Sequence, residues 1–238
     1  MRFMPNKYVD FVSDVFFEKC VRHVCDAYNE EVILEDKKLQ ANGVDPIKMT
    51  FDMINEQRDF KKWRIKESRR QKDKTVNNAI GEFHQKLLGG VTGWTDLETG
   101  HESKLDLKKN DNSIFMELKN KDNTVNSDSA RKVREKLMVQ HEKTPDAKCY
   151  FAYFTPTNGK SEEKHWTPTT KNVPHHENIR RISGSKIYEL VTGKSNALEQ
   201  VWLALPLALK NIYGKENPLS EEEKTEFYKW FNLAYFKR

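Results

Sequence analysis

The stretch from Lys104 to Phe154 constrains the fold of this chain more than any other. Lys104-Leu-Asp-Leu-Lys108, a polar turn around Asn110-Asp111-Asn112, and Ser113-Ile-Phe-Met-Glu-Leu-Lys119 together read as a β-hairpin. Side chains alternate along a strand, so Phe115, Glu117 and Lys119 share one face while Ile114, Met116 and Leu118 take the other, a core face. If the hairpin loop holds an even number of residues, Asp106 falls opposite Phe115 or Glu117 and points to the Glu117 side; an odd loop breaks this. After the hairpin, Ser127 or Asp128 can cap a helix reaching His141, with Ala130, Val133 and Leu137 inward, and Lys148 to Phe154 has strand character. With a further strand around Val91 to Trp94, the order strand, hairpin, helix, strand describes a mixed sheet crossed by a helix. The fold class is α/β or α+β.

Helices flank this centre. Val9, Val12, Phe16, Cys20 and Val24 recur at helical spacing, which predicts a helix over 8–28. A second is expected from Met49 to Trp63, and the basic segment after it either continues that helix or forms an arm. Val76, Ile80, Phe83 and Leu87 predict a third over 75–88, stopped by Gly89-Gly90, with Glu82 and Gln85 off its apolar stripe. Residues 155–182, rich in Pro, Thr, Asn, Lys and His, read as a long loop. Segments 184–192, 197–213 and 220–235 look helical, the last opening with Ser220 and Glu223 in a capping box, while Trp202, Leu203, Leu205 and Leu209 read as core. We therefore expect one domain over 1–238: a helical region to residue 75, a core over 76–154, a loop over 155–183 and helices over 184–238.

Charge placement narrows the partners. The net charge of +5 is modest, but Lys61, Lys62, Arg64, Lys66, Arg69, Arg70, Lys72 and Lys74 face only Glu67 and Asp73 between residues 61 and 74. No run of eighteen apolar residues suits a membrane span, and the first residues lack the apolar centre of a secretion signal, so a cytoplasmic location is expected. Cys20, Cys25 and Cys149 form no CxxC pair and lie on apolar segments, which predicts reduced, buried thiols. His175-His176 with Glu177 is no zinc motif, because adjacent residues do not both face one metal on regular structure.

Two carboxylates and one ammonium converging on a sheet face suit phosphodiester hydrolysis. Carboxylate oxygens match a hard, octahedral Mg²⁺, which polarises a phosphate and acidifies a bound water, while Lys119 orients that water and offsets charge on the phosphorane. The bland alternative is a solvated strand face carrying ion pairs of little energetic weight.

Asp106, ten residues, then Glu117-Leu118-Lys119 resembles the PD-(D/E)XK nuclease superfamily, with Leu105 where a Pro often stands. Glu117-Leu-Lys-Asn-Lys-Asp-Asn-Thr124 and Val-Asn-Ser127, the upstream Gly81-Glu-Phe-His-Gln85-Lys-Leu-Leu-Gly89, and Ile187-Tyr-Glu-Leu-Val-Thr-Gly193 with Asn196-Ala-Leu198 are similar to the Type II restriction endonucleases that cut GGNCC-like sites. The resemblance, over about residues 76–213, implies a PD-(D/E)XK-like central mixed sheet flanked by helices. It also implies Mg²⁺-dependent cleavage of duplex DNA to 5′-phosphate and 3′-hydroxyl ends, a homodimer, and a methyltransferase of the same specificity as functional partner. Asp106, Glu117 and Leu118 become the metal-ligating positions, Lys119 the catalytic lysine, and Glu82 an accessory carboxylate. For DNA contact the candidates are Asn120, Lys121, Asn123, Thr124 and Asn126 beside the motif, Arg64, Arg69 and Arg70 in the basic segment, and His165, Lys171 and Arg180 in the long loop. The rivals are a repair or structure-specific nuclease sharing the same site, and a DNA-binding module without catalysis.

Overall fold

The computed structural model describes residues 6–29, 36–98, 100–122, 126–167 and 174–237. They fall into two compact units, residues 22–80 and residues up to 21 together with 81–238.

In the smaller unit, α2 (Asp36–Ala41) and α3 (Pro46–Asn55) precede the first two-thirds of α4 (Phe60–Gly89). Asp45 caps α3 by accepting the Ile47 and Lys48 amides. Sequence periodicity predicts one helix over 49–63, but the chain breaks at 56–59, where Gln57 adopts φ +51°. Asp59 then restarts it, taking the Lys62 amide at 2.8 Å. The last residues of that expected helix, from Phe60, the basic segment after it and the helix expected over 75–88 form a single 30-residue helix. Ala27, at the end of α1 (Asp14–Asn29), packs with Val76, Ala79 and Ile80 of α4.

The larger unit is built on a six-stranded mixed sheet in the order β1-β2-β3-β4-β6-β5. Its strands are β1 (Trp94–Asp96), β2 (Leu107–Lys109), β3 (Ile114–Lys121), β4 (Lys148–Thr155), β5 (Glu163–His165) and β6 (Ile179–Ser183). β2 and β3 form the expected hairpin, β3 and β4 are parallel and joined through α5 (Ser127–Lys143), and β4 and β6 are parallel. Five of the eight β4 residues are aromatic or alanine, and Cys149 to Phe154 are all buried. A strand covered on both faces has no reason to alternate.

One sheet face carries Phe115, Cys149, Phe151, Tyr153 and Ile179, closed by Val133 and Leu137 of α5 and by Trp166, with Ala130 partly buried against them. On the other face the final turns of α4 and α6 (Ser185–Thr192) supply an aromatic chain: Phe83, His84 and Tyr188 around Phe154, with the His84 ring stacked 4.2 Å from Phe154. α7 (Ala197–Tyr213) and α8 (Glu221–Tyr235) complete the unit, with Trp202 stacked on Phe231 and the Ser220–Glu223 capping box formed as expected.

Several expectations shift. α1 begins at Asp14, not residue 8, because the Asp14 carboxylate gathers the Lys7 and Tyr8 amides and turns the chain before the helix starts. The cap of α5 is Asn126, one position before the expected Ser127, accepting the Ser129 amide at 2.9 Å. Residues 155–182 are not one loop: β5 and β6 lie within or overlap this span and pair antiparallel, the fully exposed β5 having no apolar pattern by which to be read. Leu203 and Leu209 are exposed, because α7 buries Leu198, Val201, Ala204 and Ala208 instead. All three cysteines are buried and none forms a disulfide, and burial pushes the Cys20 thiol up to about 11 and the Cys149 thiol up to about 12.

Candidate active site

The hairpin decides whether the motif assembles. Lys108 pairs with Phe115 and Leu107 with Met116, and residues 110–113 form an even loop in which Asn112 adopts φ +57°. Continuing that register sets Asp106 opposite Glu117. The ladder does not continue normally past this point. Lys104 adopts φ +55° and turns its chain away, and the Leu118 amide donates to Asp106 Oδ2 at 2.6 Å instead of to a strand carbonyl. The Asp106 amide meanwhile donates to the Met116 carbonyl at 2.9 Å, so both backbone and side chain fix the carboxylate.

Glu117 is 3% exposed, and its charge is compensated locally. Lys119, two residues along the same strand face, donates to Oε1 at 2.7 Å. A second ammonium, Lys136 of α5, donates to Oε1 at 3.2 Å, to Oε2 at 3.1 Å and to the Lys104 carbonyl at 3.1 Å. Burial, and then the neighbouring Glu117, raise the Asp106 pKa above the ordinary carboxylate value against the pull of the Leu118 amide and both lysines. Two carboxylates and two ammonium groups thus share one partly desolvated face.

The donor set fits a magnesium-type ion. Among the described residues no three His, Cys, Asp or Glu side chains are grouped to cage a metal. Mg²⁺, however, is commonly held through one or two carboxylates with the remaining positions left to water and phosphate. Burial raises the Asp106 pKa most and the Glu117 charge adds to it, and a cation beside the two carboxylates would offset that second contribution. Leu118, lying between Glu117 and Lys119, offers only its backbone oxygen.

Other expected site residues are placed differently. Glu82 is exposed on α4 and pairs with Lys86 at 3.5 Å, whereas Gln85, one turn on, donates to Asp96 at 2.7 Å and to the Asp106 carbonyl at 3.4 Å. Asn120 and Lys121 continue β3, and Asn126 is occupied as the α5 cap. Arg180 lies on β6, bound to Glu163 at 2.7 Å, with His165 3.5 Å away on β5. In the smaller unit, Arg70 is paired with Glu67 at 2.5 Å, Arg69 is exposed and Arg64 half-buried along α4. Asn123, Thr124 and Lys171 lie outside the described residues.

Lys136 was not among the residues expected from the sequence. The signal available was indirect: three residues after Val133 and one before Leu137, it borders the buried stripe of the helix that crosses the Glu117 face.

The chain matches the model of the Eco47II restriction endonuclease family over residues 9–214, a span that includes Asp106, Glu117, Lys119 and Lys136 and ends before α8. It is 33% identical to the type II restriction enzyme Sau96I of Staphylococcus aureus over 216 residues, covering 87% of this chain and 81% of that protein. To the type II restriction enzyme Eco47II of Escherichia coli it is 34% identical over 211 residues, 84% of this chain and 87% of that protein.

Proposed function

The chain belongs to the Eco47II restriction endonuclease family and is a type II site-specific deoxyribonuclease, and we propose that Asp106, Glu117 and Lys119 carry its chemistry with Mg²⁺. The observation that carries this assignment is the even hairpin loop. It sets Asp106 across from Glu117 and leaves Lys119 on the same face, bonded to Glu117 at 2.7 Å.

In this reading Asp106 and Glu117, with the Leu118 carbonyl, hold the ion. The chemistry such an ion would supply there is Lewis-acid activation of water and of the scissile phosphate. Lys119 orients the attacking water and offsets the charge that develops on phosphorus, an electrostatic task suited to a partly desolvated face. The Leu118 amide fixes the Asp106 carboxylate, so one ligand is already aimed before substrate arrives. Cleavage leaves 5′-phosphate and 3′-hydroxyl ends at a short, GGNCC-like sequence. Asn120, Lys121 and the α4 arginines contact phosphates. The enzyme works as a homodimer in the bacterial cytoplasm, alongside a methyltransferase that protects the same sequence. No described helix is long and apolar enough to cross a membrane.

Digestion of a plasmid of known sequence with Mg²⁺ tests the reading. Discrete fragments with a common end sequence are expected, and Glu117→Ala and Lys119→Ala are expected to abolish cutting while retaining DNA binding. A smear or nicking would favour a non-sequence-specific nuclease, binding without any cutting a DNA-binding module, and full activity in either variant would remove that residue from the site.

A further inference from the structure

Glu117 is held by two ammonium groups, and only Lys119 belongs to the motif. Lys136 reaches the same carboxylate from α5, contacting both oxygens and the Lys104 carbonyl, all between 3.1 and 3.2 Å. Three acceptors engage all three N–H donors of an ammonium. The third acceptor is available because Lys104, at φ +55°, turns the chain just before the hairpin strand. The carboxylate side chain is 4% exposed but that of Lys136 is 35% exposed, so Lys136 is free to leave toward solvent while Glu117 is not.

Asp106 and Glu117 contribute two negative charges and Lys119 and Lys136 two positive ones, so the face is neutral before any cation arrives. A dication entering there meets an ammonium lying across both oxygens of Glu117.

We propose that Lys136 is a positioning residue that latches Glu117, competing with the divalent cation for its carboxylate and keeping metal affinity low in the absence of DNA. The inference rests on the metal-binding role of Asp106 and Glu117 given above. Removing the charge leaves the face with a net negative charge and both Glu117 oxygens less encumbered. Even at the dielectric of water, a unit charge about 5 Å from a dication is worth roughly a factor of ten in affinity.

The full chain, without DNA, is titrated with Mn²⁺ while free Mn²⁺ is followed by electron paramagnetic resonance; thermal unfolding verifies each variant is folded. Lys136→Met is expected to bind Mn²⁺ about tenfold tighter than the parent, with Lys136→Gln as a second charge-removing variant should the first fail to fold. Lys136→Arg, which keeps the charge, is expected to stay near the parent, and the gain is expected to vanish in Lys136→Met/Glu117→Gln. Equal or weaker binding by the charge-removed variants, or a gain that survives Glu117→Gln, overturns the latch alone. If no variant binds any Mn²⁺ that Glu117→Gln removes, the latch and the metal reading both fall.

Discussion

Replacing Asp106 by Asn separates the stability of this site from its chemistry. The Asp106 carboxylate does two things: Oδ2 accepts the Leu118 amide at 2.6 Å, and its charge sits on a face shared with Glu117. Alanine loses both, leaving a part-buried N–H without its partner at a cost of about 2 kcal/mol. Both substitutions discard the charge, so in a chain of this size the lost hydrogen bond places the Ala variant roughly 4–8 °C in Tm below the Asn variant. Asparagine keeps a carbonyl oxygen for the amide and discards the charge. Because burial and Glu117 raise the Asp106 pKa, the native state binds this proton more tightly than the unfolded chain does. Stability from this group is therefore lost as pH rises from the ordinary carboxylate value through the raised one, and that cost persists at neutral pH. Asp106→Asn is accordingly expected to melt at or above the parent at pH 7, with its advantage shrinking toward pH 4, and to cut no DNA. Thermal unfolding across pH, run beside plasmid digestion, reads both properties. An Asn variant as unstable as the Ala variant would refute the role given to the Leu118 amide, and an Asn variant that cuts would refute the role given to the charge.

Burial holds the His84 pKa down at about 4, the ring lying among Phe83, Phe154 and Tyr188 and sharing a 2.6 Å hydrogen bond with the Tyr188 hydroxyl. The unfolded chain takes up this proton near pH 6.5, so stability present above that value is lost as pH falls toward 4. The loss is about 2 kcal/mol once partial exposure is allowed for, and His84→Gln should remove it from the difference in Tm between pH 7 and pH 4.5; an unchanged difference would refute the assignment. Gly159 adopts φ +72°, and a Cβ there would lie 2.1 Å from the Leu233 carbonyl oxygen, beside the Lys237 amide bond to the Gly159 carbonyl. Gly159→Ala should cost at least about 1–2 kcal/mol and lower hydrogen-exchange protection selectively over 221–236; uniform loss, or none, would count against this pinning of α8.

The motif was legible to different depths at different residues. The parity of the Asp106–Lys119 hairpin follows from a period of two and from a loop whose polar residues mark its position, both local properties of the chain. The α5 stripe at Val133 and Leu137, the α8 capping box and the strand character of Lys148 to Phe154 were legible for the same reason. The break at 56–59 and the start of α1 were not, because a single Asp side chain bonding nearby amides overrides apolar periodicity in each case. β5 escaped because a three-residue exposed edge strand is held by backbone pairing with a distant segment, and β6, buried between β4 and β5, because Ile179 and Ile182 stand three apart rather than alternating.

By itself, then, the amino-acid sequence determined the mixed α/β character of this chain and which side chains share the Glu117 face, since alternation and capping act over a few residues. Only the tertiary structure decided that the Leu118 amide bonds to the Asp106 carboxylate, that Gln85 rather than Glu82 reaches the Asp106 backbone, and that Lys136 closes over Glu117. Each of these contacts joins residues 12 to 21 positions apart, and depends on where a turned strand end or a crossing helix comes to rest. No periodicity in the chain encodes that distance.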